Sequence, residues 1–82
     1  MATWDISYAG QYESIIRATC GSLDGFPSRA SALTTLRQVT GADRLYTYDS
    51  GEGLLVYTSL RSLRRDSDGS YAVATLTRAV RS

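Results

Sequence analysis

The sequence predicts an α+β domain: an antiparallel sheet with two helices packed on one face, in the order β-α-α-β-β-β. Three observations carry this expectation. The second half of the chain, Asp43 to Val80, contains three strand-like runs separated by turn residues. A run from Ser28 to Thr40 spaces its apolar residues with the period of a helix. A short alternating run, Thr3 to Tyr8, precedes both. The competing order is β-β-α-β-β-β, in which Gln11 to Thr19 is a strand.

Taken in order, Thr3 to Tyr8 sets Trp4, Ile6 and Tyr8 on one face and Asp5 and Ser7 on the other, the pattern of a half-buried strand. Gln11 to Cys20 supports either reading. As a helix it aligns Tyr12, Ile15, Ile16 and Thr19 on one side, with Gly21 as a left-handed cap. As a strand it makes Ala9-Gly10 a hairpin turn, and Ile15 then shares a face with Glu13 and Arg17. The helix separates apolar from polar better and is the preferred reading. Gly21 to Pro27 is a loop rich in turn residues, and Phe26 within it is apolar enough to fold back on the core.

Ser28 is a good helix N-cap, because its hydroxyl can accept a bond from an amide two or three residues on. Ala32, Leu33, Leu36, Val39 and Thr40 then form the buried stripe, Arg29, Thr35 and Arg37 lie off it, and Gly41 ends the helix. The three strands that follow run from Arg44 to Tyr48, Leu54 to Leu60 and Tyr71 to Thr77. Asp49 to Gly53 supplies the glycines of one hairpin loop, and Asp68-Gly69 is a strong signal for a tight second hairpin.

That second turn implies a register. Leu55, Tyr57, Leu63, Ala72, Ala74, Leu76 and Val80 share the face that receives the helices. Val56, Thr58, Leu60, Tyr71, Val73, Thr75 and Thr77 share the other face, and the first turn decides whether Tyr46 and Tyr48 join it, with Leu45 and Thr47 then on the first. A slip of one residue exchanges the faces. With both helices on one side, the second face is open, and its tyrosines form a rigid amphipathic surface suited to binding. Tyrosine and threonine are also ordinary residues on the wet side of a sheet.

The 82 residues are enough for one domain and too few for a large core. Hydrophobic residues make up 43% and charged residues 21%, values that argue against disorder. The net charge of +1 provides no strong field toward nucleic acid or membranes. All nine basic residues are arginine, and His, Lys and Asn are absent. A coding bias accounts for this composition; recognition of carboxylate or phosphate by arginine forks is the functional alternative. A single cysteine, Cys20, fits a reducing, cytoplasmic setting and reads as a small core residue. No stretch has the length of a membrane span, and the N-terminus lacks the pattern of a signal peptide.

Catalytic chemistry finds little support. Without His, neither Cys20 nor any serine has the usual activating base, and nothing brings a pair of carboxylates together. A zinc or iron–sulfur site lacks ligands, so no metal or cofactor is expected. Asp66 to Gly69 echoes a calcium loop but lacks its further ligands and reads as a turn. Gly51 and Gly53 lack the lysine and following helix of a phosphate loop.

The binding residues singled out are Tyr46, Tyr48 and Tyr71 on the sheet and Arg61, Arg64 and Arg65 at the end of the second hairpin. They lead to an expected non-enzymatic module or inhibitor that occupies a surface of a larger protein partner. A viral or mobile-element accessory protein that blocks a host defence complex fits that description. The alternatives are a single-stranded nucleic-acid binder, with bases stacked on tyrosines and phosphates held by arginines, and a homodimer that pairs through the open sheet face. Local ion pairing of the arginines with Asp66 and Asp68 is the plainer account of the cluster.

Overall fold

The structure, a computed structural model, describes residues 2–51, 53–67 and 69–80. It contains β1 (Ala2–Tyr8), a 3-10 turn (Gly10–Tyr12), α1 (Glu13–Cys20), α2 (Arg29–Thr40), β2 (Tyr46–Asp49), β3 (Leu54–Tyr57), α3 (Leu60–Arg65) and β4 (Ala74–Val80). The four strands form one antiparallel sheet in the order β1-β4-β3-β2. The expected α+β class and the β-α-α-β-β-β order are thus present, with one helix added between the last two strands. Gln11 to Thr19 is helical rather than a strand, and β1 joins at an edge of the sheet, beside β4.

Two helices end as their glycines imply. Gly21 and Gly41 adopt φ of 83° and 72° after α1 and α2, a conformation that costs glycine little. The Ser28 hydroxyl accepts from the Ser31 amide at 3.1 Å and caps α2. Ile16 of α1 and Ala32 and Leu36 of α2 pack with Ile6, Leu54, Val56, Ala74 and Leu76 of the sheet to form the core. Phe26 is buried with them, as its apolarity required. Its amide and carbonyl pair with Trp4, and the Leu23 carbonyl accepts from Ile6, so the loop before α2 covers the outer edge of β1. The opposite edge, β2, has no strand beyond it among the described residues.

Several details depart from expectation. Ile15, placed on the buried side of α1, is 49% exposed, because the eight-residue α1 meets the core mainly through Ile16. Cys20 is exposed at the end of α1 rather than in the core. Tyr8 leaves the face of Ile6 because the register shifts between them and sets Tyr8 opposite Thr75.

The largest difference lies between β3 and β4. The strand expected from Leu54 to Leu60 stops at Tyr57, and the one expected from Tyr71 begins at Ala74. No two-residue turn joins them; α3 and a loop do. Asp68 and Glu52 lie outside the described residues, as do Arg81 and the side chain of Val80. The pairing is Leu54 with Leu76, Leu55 with Thr75 and Val56 with Ala74. Ala74 and Leu76 face the two long helices as expected, but Leu54 and Val56 accompany them in place of Leu55 and Tyr57. A register taken from a tight turn does not survive a long connection, and a slip of one residue exchanges the faces of β3.

Candidate functional site

The sequence from Ser59 makes α3 by local chemistry. The Ser59 hydroxyl accepts from the Ser62 amide at 3.1 Å and donates to the Ser62 hydroxyl at 2.9 Å. Arg64 and Arg65 fall in the last turn, where positive charge complements the negative end of the helix. None of its six residues is buried. The Ser-x-x-Ser spacing of Ser59 and Ser62 repeats that of Ser28 and Ser31. This cap signal marks α3 in the sequence, although strand-like alternation runs through it.

α3 packs against β2 and β3 on the face opposite α1 and α2. The second face is therefore partly covered rather than open. Tyr57 is only 2% exposed, and its hydroxyl donates to the Asp66 carboxylate at the end of α3. The other Asp66 oxygen accepts from the Gly69 amide at 2.9 Å. This carboxylate thereby ties β3, α3 and the following loop together. Val56 and Val73, expected on the binding face, pack with the core instead.

The expected site residues fall on two sides of α3. On one side, Tyr46 sits directly opposite Tyr57, and Tyr48 sits opposite Leu55. A groove of about 570 Å³ runs between the sheet and α3, lined by Tyr48, Leu55, Tyr57, Leu63 and Asp66 among others. Tyr48 is 57% exposed, whereas Tyr46 is half-buried. On the other side, Tyr71 lies in a turn before β4 rather than on the sheet. It shares a small cleft with Arg61 and Arg65 and is 58% exposed. Leu60, exposed at the start of α3, adds an apolar contact that sequence reasoning did not select.

Arg61, Arg64 and Arg65 are exposed and form no ion pair among the described residues. The Asp66 carboxylate is engaged by Tyr57 and Gly69, and Asp68, the other acid expected to neutralise the arginines, lies outside the described residues. The surface thus combines three guanidinium groups without an ion pair among the described residues with two exposed tyrosines. Such groups can hold carboxylates or phosphates through paired N–H donors and present flat rings for contact. Among the described residues, no group of three or more His, Cys, Asp or Glu side chains gathers as a metal site, and no helix is long and apolar enough to cross a membrane.

The fold and this surface define a small α+β domain whose short third helix carries a basic, tyrosine-flanked patch. No protein-family model matches the chain, no curated protein matches its sequence, and no solved structure matches its fold.

Proposed function

We propose that this protein is a non-enzymatic binding module that occupies an acidic surface of a larger protein partner through α3. The observation that carries the reading is the trio Arg61, Arg64 and Arg65, unpaired among the described residues, on a helix flanked by exposed Tyr48 and Tyr71. Arginine and tyrosine are enriched among the residues that dominate binding energy, and tyrosine loses little freedom on contact. An acidic partner supplies the counter-charge that the arginines do not meet among the described residues. Occupying a surface in this way is how a small chain inhibits a larger complex, the role expected of a viral or mobile-element accessory protein in a cytoplasmic setting.

A second reading, single-stranded nucleic acid, draws on one contact. Tyr71 lies beside Arg61 and Arg65, an arrangement that can stack a base while neutralising its phosphates.

The test is affinity capture from lysate of the source cell, with and without nuclease, beside an Arg61→Ala/Arg64→Ala/Arg65→Ala variant and a Tyr48→Ala/Tyr71→Ala variant. Both variants are first checked for folding by circular dichroism. The expected result is a nuclease-resistant protein that the triple variant captures at least about tenfold less well, the scale set by losing hot-spot arginines. Capture that nuclease abolishes, and that falls steeply with salt, moves the assignment to nucleic acid. Retention unchanged in both variants removes α3 as the binding surface, and light scattering then tests self-association.

A further inference from the structure

A second candidate site lies on the other face of the sheet, at the end where β3 begins and β4 finishes. A cleft of about 440 Å³ opens there, lined by Trp4, Arg29, Asp49, Leu54 and Arg78 together with glycines of the β2–β3 hairpin. Its volume falls within the range of small-molecule sites. Neither arginine sits where fold stability alone would place one. Arg29 occupies the first position of α2, where the positive end of the helix disfavours a cation, and α2 has no acidic residue in its first turn. Arg78 follows Ala74 and Leu76 in the row that faces the long helices but is itself exposed, so core packing does not account for it. Neither makes an ion pair or side-chain hydrogen bond among the described residues. Two guanidinium groups without an ion pair among the described residues, on one cleft, can hold an anion.

The remaining lining narrows the ligand. Trp4 lies directly opposite Arg78 in the β1–β4 register. Its amide and carbonyl are turned toward Phe26, so Trp4 and Arg78 form a non-hydrogen-bonded pair, the kind whose side chains approach most closely. The indole is half-buried and contributes to the cleft wall. Asp49, also on the lining, has one carboxylate oxygen held by the Gly51 amide at 2.9 Å, and the other has no partner among the described residues. A bare phosphate would meet repulsion from this carboxylate. A ligand with hydrogen-bond donors beside its phosphate would satisfy it.

We propose that this cleft binds a nucleoside monophosphate. Arg29 and Arg78 hold the phosphate, the free oxygen of Asp49 accepts from the sugar hydroxyls, and the base lies against the Trp4 indole. The site is separate from the α3 surface and does not depend on the protein partner proposed there.

Trp4 is the one tryptophan of the chain, so its fluorescence reports on the cleft without labelling. The experiment titrates the full chain with adenosine 5′-monophosphate, with adenosine and with inorganic phosphate. It repeats the first titration on Arg29→Gln, Arg78→Gln and the control Arg37→Gln, each verified as folded. The nucleotide should give a saturable change with a midpoint below about 1 mM, and adenosine and phosphate should each bind at least about tenfold more weakly. Each cleft variant should also weaken nucleotide binding about tenfold or more, the effect of one charged hydrogen bond, whereas Arg37→Gln should not. Arg29 is an exposed helix residue, so its variant keeps the test valid should Arg78→Gln fail to fold. No saturable change, equal binding of phosphate and nucleotide, or unchanged binding by Arg29→Gln would overturn the assignment.

Discussion

α2 and α3 begin alike and are held in place differently. Each starts with a serine whose hydroxyl accepts from the amide of a second serine three residues on, at 3.1 Å in both. α2 then runs for 12 residues and buries Ala32 and Leu36 completely. α3 runs for six and buries none of its residues. What anchors α3 is its far end, where Asp66 accepts from the Tyr57 hydroxyl and the Gly69 amide. Helices this short are marginal by propensity alone, so tertiary anchors decide whether they persist. A helix that need not bury a stripe can devote its side chains to solvent or a partner. α2 builds the core, and α3 presents three arginines.

The sharpest way to break this contrast is to truncate one leucine in each helix. Leu36 is fully buried, and Leu36→Ala should cost about 2–5 kcal/mol, the range for a core leucine that leaves a cavity. That is a large share of the roughly 5–15 kcal/mol that holds a domain folded. Leu63 lines the groove and is only half-buried, so Leu63→Ala should cost clearly less, about 1 kcal/mol, from the smaller apolar area lost. Urea unfolding of both variants gives the comparison directly. Equal losses would show that α3 is a core element after all.

The same contrast explains which features were legible in the sequence. Apolar periodicity announces helices that bury a stripe, so Ser28 to Gly41 was readable from cap to cap. β1 and the β2–β3 hairpin were readable from alternation and from the glycines at Gly51 and Gly53. α3 has no buried stripe, and its leucines at Leu60 and Leu63 continued a strand-like run from Leu54. Only Ser59 marked its start. Alternation carried past Ser59 implies a tight turn at Asp68-Gly69, and a tight turn there implies the opposite faces for β3. Tyr48, Tyr71 and the three arginines were selectable by residue type, but their grouping around α3 was not, because it depends on that connection. The cleft with Arg29 and Arg78 was illegible for a simpler reason: its residues are distant in sequence and meet only through β-sheet register and the packing of α2 on the sheet.

A smaller effect tests the anchor itself. Tyr57→Phe removes the hydroxyl that donates to Asp66 and changes little else in a side chain that is 2% exposed. A hydrogen bond to a charged group contributes about 1.5–3 kcal/mol, so a loss near the lower end is expected in urea unfolding. Exchange of the α3 amides should accelerate beyond that of α2, because the bond secures α3 in particular. A stability unchanged from wild type would mean that the Tyr57–Asp66 bond is not what holds α3.

The smallest effect concerns the two caps, where the chemistry is matched and the surroundings are not. Ser28→Ala and Ser59→Ala each remove one hydroxyl acceptor and should each cost about 1 kcal/mol of local helix stability. For α2 that cost should appear in global unfolding, because the helix carries Leu36 and cannot leave the core without unfolding it. For α3 it should appear chiefly as faster amide exchange in residues 60–65, with a smaller shift in the urea midpoint, because local opening exposes little apolar surface. The Ser59→Ala variant should also weaken partner capture through Arg61, Arg64 and Arg65 without removing any charge. Loss of capture with the arginines intact would show that the helix, and not the charge alone, arranges the binding surface; full retention would show that the charge suffices.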